Sequence, residues 1–189
     1  MRRRAAKPRE TTVLTLGHST RSLEELLRLL RAHGVERLVD VRTVPRSRFN
    51  PQFNRDTLPK SVAAAGIGYS HAPELGGLRK PVSDSVNGAW RNASFRGFAD
   101  YMQTPAFAKA LDELIEMAKR KRIAILCAEA VPWRCHRSLI CDALVARGIR
   151  AEHIMSETDR REHSLTSFAK VRGRHVTYPV ESEPELPLG

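Results

Sequence analysis

Short apolar runs that alternate with longer helical patterns are the feature that most constrains how this chain can fold. Four of the runs are typical of buried strands, and a weaker fifth lies between the second and the third of them. The five runs span residues 13–16, 37–41, 67–70, 123–126 and 151–154. Strand segments separated by helical segments are typical of βαβ units, in which successive strands are parallel. We therefore predict an α/β fold with a largely parallel, open sheet of about five strands.

The helical segments carry their own start signals. Ser22 and Glu25 form a capping box, in which each side chain would bond the backbone N–H of the other residue. Thr104, followed by a proline, begins a second helix, and a third is predicted over residues 136–147. With these helices flanking the sheet, the expected architecture is a Rossmann-like three-layer arrangement.

The length of 189 residues suits one domain with a substantial core. We predict a basic, disordered arm over residues 1–11, a single α/β domain over 12–158 and a polar, loosely docked C-terminal tail over 159–189. No apolar run approaches the roughly 20 residues of a membrane helix, and the basic start lacks the apolar stretch of a signal peptide. These features predict a cytoplasmic protein without a membrane partner; the oligomeric state leaves no mark on the sequence.

The formal net charge of +11 predicts an anionic partner. Such a field attracts nucleic acid, phosphorylated metabolites and other small anions. An excess of solvated surface arginines would give the same count. Charge alone therefore does not separate nucleic acid from an anionic small molecule.

All three cysteines, Cys127, Cys135 and Cys141, fall within fifteen residues of one another. Clustered thiols in a chain without a secretion signal favour catalysis, redox chemistry, metal binding or plain packing over a disulfide scaffold. Cys141 lies among apolar helix residues, so we expect it in the core. A strand ends at Cys127 and a helix begins near Cys135, so helix N–H groups would attract anions here and lower the pKa of a thiol.

We predict five catalytic residues around this turn: Cys127 and Cys135 as reactive thiols, and Glu129, His136 and His18 as groups that move protons. A Cys127–Cys135 redox pair stays open as one form of this chemistry. Zinc held by Cys127, Cys135 and His136 is the less favoured alternative, because no second Cys/His cluster completes a tetrahedral site. No metal and no cofactor is therefore predicted.

Two further turns supply candidate residues for holding an anion or substrate. The first strand meets the first helix at Gly17 and Ser19, and the second strand ends at Asp40 and Arg42. A buried Asp40 carboxylate would need a partner such as Arg42. The complete predicted set for the anion or substrate is Gly17, Ser19, Asp40, Arg42, Arg46, Gly76, Gly77, Arg134 and Arg137.

Four motifs in matching order make the chain similar to a known family. They are T-L-G-H-S-T, L-V-D-V-R-T-V-P-R-S-R, G-I-G-Y-S-H-A-P-E-L-G-G, and C-A-E followed by C-H-R-S-L-I. Over residues 12–155 the chain resembles the DUF488 family, a group of mostly bacterial proteins of unassigned function. The resemblance implies that these motifs mark a shared site, but it supplies no substrate.

The leading hypothesis is a cysteine-assisted enzyme, a transferase, hydrolase or redox enzyme, acting on an anionic substrate that is phosphorylated or nucleotide-like. It requires Cys127 to open to solvent near His18 and Arg42. The alternative is a nucleic-acid-binding or regulatory module that uses the same basic pocket without catalysis. The loop after the second strand places Phe49 and Phe53 among arginines, and we expect both rings to anchor the loop rather than to stack on bases.

Overall fold

The computed structural model of the chain describes residues 10–180. Its main sheet has the strand order β3-β2-β4-β1-β5-β6, in which the first five strands are parallel and β6 pairs antiparallel with β5. The strands are β1 (Thr12–Gly17), β2 (Arg37–Asp40), β3 (Gly68–His71), β4 (Ile123–Cys127), β5 (Arg150–Ile154) and β6 (Arg160–Glu162). The predicted largely parallel α/β sheet is confirmed, and β6 is the one strand of this sheet that was not predicted.

Five α-helices occur within residues 10–180: α1 (Leu23–Ala32), α2 (Leu58–Ala64), α3 (Ala93–Tyr101), α4 (Pro105–Arg120) and α5 (Arg137–Val145). Their apolar residues form two separate cores, which makes the fold three-layered. Along β1, Leu14 and Leu16 pack with α1 and α2, whereas Val13 faces the core that α3, α4 and α5 share. This alternation follows from the two-residue period of a strand. No helix in this range is long and apolar enough to cross a bilayer.

The start signals of α1 and α4 act as predicted. The Ser22 hydroxyl accepts from the Glu25 N–H at 3.1 Å, and Thr104 caps α4 in the same way. The second half of the capping box differs, because the Glu25 carboxylate lies 2.9 Å from Arg21 Nε. An ion pair one turn away has replaced the expected bond to the backbone.

The segment after residue 158 packs on the domain over its described part, 159–180. Besides β6 it contains a hairpin of β7 (Lys170–Arg172) and β8 (His175–Thr177). Tyr178 is fully buried and donates its hydroxyl to Asp142 at 2.8 Å. The polar composition predicts loose docking of this segment, and Tyr178 is a residue that contacts the domain within its described part. Residues 181–189, and residues 1–9 of the predicted arm, lie outside the described residues.

The topology brings the predicted site together. Parallel strands end at one edge of the sheet, and β2, β4 and β1 are neighbours that end at Asp40, Cys127 and Gly17. Backbone pairing between β1 and β4 continues past their ends, since the His18 N–H donates to the Cys127 carbonyl at 2.9 Å. The Ser19 N–H makes the next such bond, and Ser19 has a φ of 48°. Left-handed backbone at a non-glycine residue is typical of functional sites.

Candidate functional site

A cavity of about 680 Å³ opens at this edge of the sheet. Its wall includes ten of the fourteen predicted site residues: His18, Ser19, Arg42, Arg46, Gly77, Cys127, Glu129, Arg134, Cys135 and His136. The other four, Gly17, Asp40, Gly76 and Arg137, lie behind the wall. The tertiary structure therefore brings together three turns that are spread between residues 17 and 137 of the chain.

The two thiols and one imidazole form the chemical centre of the cavity. His136 Nδ1 lies 3.7 Å from Cys127 Sγ and 3.8 Å from Cys135 Sγ, and the three atoms lie within 4.8 Å of one another. Both cysteines are buried side chains that line the cavity, and neither is in a disulfide. Cys127 faces the same cavity as His18 and Arg42, which is the arrangement that the enzyme hypothesis requires.

The two thiols differ in their affinity for a proton. A hydrogen bond from the Cys135 thiol lowers the pKa of Cys127 well below its ordinary value, and His136 and Arg137 act in the same direction against the effect of burial. The same hydrogen bond, together with burial, raises the pKa of Cys135. Cys127 is therefore the more acidic thiol of the pair, which is the property that a nucleophilic cysteine requires.

The packing around His136 fixes which nitrogen meets the thiols. Gly77 lies against the ring, where an added Cβ would come within 2.6 Å of Cγ and Nδ1. The Phe98 ring meets the imidazole edge-on at 5.0 Å between centroids. Nε2 is buried and has no hydrogen-bond partner within residues 10–180. Nδ1 is therefore the ring nitrogen that contacts both cysteines.

Asp40 holds Arg42 from behind the cavity wall. The fully buried carboxylate accepts from the Arg42 backbone N–H, from Nε at 2.9 Å and from Nη2 at 2.6 Å, and it also accepts from the Tyr69 hydroxyl at 2.8 Å. Arg42 Nη2 also donates to the Phe53 carbonyl, and Nη1 donates to His18 Nε2 at 3.2 Å. One Nη1 proton has no acceptor within the described range, and Arg42 lines the cavity.

His18 has both ring nitrogens occupied. Nδ1 donates to the Ser19 carbonyl at 2.9 Å, Nε2 accepts from Arg42, and the ring stacks on Phe53 at 4.3 Å. Burial lowers the pKa of His18, and the neighbouring Arg42 lowers it further. These contacts favour a neutral His18 imidazole, which positions Arg42. The sequence had instead predicted that His18 carries protons.

The residues behind the wall build the turn between β4 and α5. Arg137 is 1% exposed, and its Nη1 and Nη2 donate to the carbonyls of Glu129 and Ala130. Gly17 lets this turn approach, since a Cβ there would overlap the Glu129 carbonyl. Gly76 lies against Thr43 in a similar way. Arg137 was predicted to hold an anion, and in the structure its Nη1 and Nη2 atoms bind the backbone of this turn.

Sequence reasoning missed the contribution of α3, which adds Ser94 and Phe95 to the wall. The available signal was Asn92, whose side chain caps this helix by accepting from both of their N–H groups. The two aromatic residues of the loop after β2 differ in how far they are buried. Phe53 is fully buried, so its predicted anchoring is right, but Phe49 is 90% exposed and anchors nothing.

A family model described as "Domain of unknown function DUF488" matches residues 22–144, well over half of the chain. The match includes the ends of β2 and β4 and the whole Cys127–Arg137 turn, while Gly17, His18 and Ser19 precede it. No curated protein and no solved structure matches the chain significantly. The chain belongs to the DUF488 family, whose function is unknown.

Proposed function

We propose that this protein is a cysteine-assisted enzyme that acts on an anionic, phosphorylated or nucleotide-like substrate, with Cys127 as the nucleophile. The observation that carries the proposal is the meeting of Cys127, Cys135 and His136 at one cavity, within 4.8 Å of one another. A thiolate next to a proton-carrying thiol and an imidazole is the arrangement that nucleophilic catalysis needs.

The lining of the cavity supports an anionic organic substrate. Arg46 and Arg134 are exposed at the wall, and Arg42 adds one N–H donor that has no acceptor among residues 10–180. Val44, Leu78 and Phe95 supply apolar surface beside them. A volume of about 680 Å³ is of the size that binds a small molecule or cofactor. The substrate would present its phosphate to the arginines and its organic part to the apolar residues.

In this proposal the Cys127 sulfur forms a bond to an electrophilic centre of the substrate as the bond to the leaving group breaks. The leaving group departs with that electron pair, and Glu129 or His136 donates a proton to it. Glu129 is exposed at the cavity wall, so its carboxylate can reach a bound substrate. Arg42, positioned by Asp40 and His18, would orient the anionic group. A cytoplasmic location belongs to the same proposal, because Cys127 and Cys135 must stay reduced in order to react in this way.

The test is alkylation of each cysteine by iodoacetamide over a pH series, followed by peptide mass spectrometry, with and without inorganic phosphate. We expect Cys127 to react at the lowest pH and phosphate to slow its reaction. Cys141, buried in the core, is the internal control and should stay unmodified in the folded protein. Inert Cys127, or a Cys127 rate that phosphate leaves unchanged, would refute the proposal.

The exposed aromatic rings favour a second candidate, binding of single-stranded nucleic acid without catalysis. Phe49 is 90% and Trp133 is 65% exposed, and each lies close in sequence to arginines, Arg48 and Arg134 respectively. Bases stack on such rings, and arginines contact the phosphates. Phe49→Ala should then cost about 1–3 kcal/mol of oligonucleotide affinity. Affinity that does not fall with rising salt, or that ignores this substitution, would exclude this candidate.

A further inference from the structure

A second cluster of metal-ligand side chains lies away from the cavity, between α5, β5 and the turn after β6. It consists of Cys141, His153 and His163, whose ligand atoms all lie within 4.8 Å of one another. Cys141 is fully buried and His153 is 7% exposed, and the His163 side chain is 7% exposed. The mechanism proposed above uses none of the three.

The hydrogen bond of His163 Nε2 with Asp142 determines whether Nδ1, the nitrogen nearer His153, carries a proton. Asp142 accepts from His163 Nε2 at 2.8 Å, from the Thr166 N–H and hydroxyl, and from the Tyr178 hydroxyl. With donors directed at both oxygens, Asp142 is the acceptor, so the proton of the neutral imidazole is on Nε2. His163 Nδ1 then carries a bare lone pair, which points at His153 Nε2 from 3.1 Å.

His153 has a matching outer contact, because its Nδ1 lies 2.8 Å from the Thr15 hydroxyl. When Nδ1 donates to that oxygen, Nε2 also carries a bare lone pair. Two imidazole nitrogens on one tetrahedral ion, with bonds of about 2.1 Å, lie about 3.4 Å apart. The observed 3.1 Å between His153 Nε2 and His163 Nδ1 is close to that separation, and Cys141 Sγ lies within 4.8 Å of both.

We propose that Cys141, His153 and His163 bind one divalent ion of the zinc type. Soft thiolate with two imidazoles is a donor set that zinc prefers. Binding releases the Cys141 proton, and the His153 proton moves from Nε2 to Nδ1, so the thiolate and the Asp142 carboxylate balance the charge of the ion. Asp142 and Thr15 then hold the two rings from behind, as the outer partners of metal-bound histidines do.

The fourth coordination position of the proposed ion can open into a neighbouring cavity. His153 and His163 line a neighbouring cavity of about 400 Å³, whose wall also includes Ser138, Trp90 and Trp133. Three protein ligands and an open position are typical of catalytic rather than structural zinc. A water or a small anionic ligand would occupy that position. Residues spread over 23 positions in three elements form no spacing motif, so this site could not be recognised from the sequence.

The competing metal site consists of Cys127, Cys135 and His136, which the sequence analysis considered as a zinc site. Its imidazole lacks the outer partner that the second cluster has, since His136 Nε2 has no hydrogen bond within residues 10–180. The two clusters share no residue, so substitutions in each cluster can show which of the two binds a metal ion.

Titration of the full chain with Co²⁺ tests the proposal, because cobalt bound to thiolate absorbs by charge transfer. The decisive variant is Cys127→Ser/Cys135→Ser, in which Cys141 is the only remaining cysteine. We expect it to bind one Co²⁺ with the thiolate band. Cys141→Ser should lose the band and bind Zn²⁺ at least about 100-fold more weakly, and Thr15→Val should weaken Zn²⁺ binding about 10-fold.

Two outcomes would overturn the proposal. One is a double variant that is folded by circular dichroism but gives no thiolate–cobalt band. The other is a Cys141→Ser protein that keeps the band, which would assign the metal to Cys127 and Cys135. If Cys141→Ser fails to fold, the double variant decides alone, since its band can come from no other thiol.

Discussion

His136 directs its Nδ1 nitrogen at the sulfur of Cys127, 3.7 Å away, from the position directly before α5. The contact depends on a distant loop, because Gly77 packs so closely on the imidazole that an added Cβ would lie 2.6 Å from Nδ1. A strand end, a helix start and a glycine from elsewhere in the chain thus fix one thiol–imidazole pair. The consequences of that arrangement can be measured on single substitutions.

Cys135→Ala should raise the pKa of Cys127. The hydrogen bond from Cys135 is the largest influence that lowers this pKa, and alanine cannot make it. The midpoint of Cys127 alkylation against pH should therefore move to higher pH. Cys141→Ala removes a thiol that is not among the groups that shift the pKa of Cys127, so it should leave the midpoint in place. Equal midpoints in the wild type and Cys135→Ala would mean that the two thiols do not interact.

Gly77→Ala should also raise the pKa of Cys127, through His136. The new methyl group would lie 2.6 Å from Nδ1, so the ring must shift and weaken its contact with the thiolate. Gly148→Ala is the matched control, because Gly148 has open space around it but a φ of 73°. That control should cost about 1–2 kcal/mol of stability and leave the alkylation midpoint unchanged. A shift of similar size in both variants would contradict the role given to Gly77.

Asp40→Asn should destabilise the protein by about 3–5 kcal/mol, because it leaves the buried Arg42 guanidinium without its counter-charge. The loss can be measured by urea unfolding. Tyr69→Phe removes only one neutral donor from the same carboxylate and should cost about 1–2 kcal/mol. A cost for Asp40→Asn no greater than that of Tyr69→Phe would show that Arg42 does not depend on this ion pair.

His18 should make stability depend on pH in the acid range. Its pKa is lowered from about 6.5 in the folded chain, so the unfolded chain takes up the proton first as the pH falls. The stability that neutral His18 contributes is fully present above about pH 6.5. It is lost as the pH falls through the lower pKa of His18 in the folded chain. The unfolding free energy of the wild type should therefore fall more steeply below that pH than the free energy of His18→Gln. Parallel curves would indicate that His18 titrates normally.

Local patterns were sufficient for much of the candidate site. Cys127 and Asp40 end apolar runs, and a parallel sheet brings such ends to one edge. What local patterns missed were roles that depend on contacts. Arg137 and His18 have the chemistry of an anion holder and a proton carrier, but Nη1 and Nη2 of Arg137 and both ring nitrogens of His18 form hydrogen bonds within the protein. No sequence spacing shows how a side chain's hydrogen bonds are distributed.

The sequence by itself determined the alternation of strands and helices, the caps of α1 and α4, and the three turns that carry the polar residues. These depend on periodicity and on bonds within one or two turns of chain. Tertiary structure alone decided that Phe53 anchors the loop after β2 while Phe49 stays in solvent, and that Tyr178 fastens a polar segment to Asp142. It alone brought His153 and His163 to Cys141. Burial and long-range contact are properties of the packed chain, because they depend on which distant residue fills the space beside each side chain.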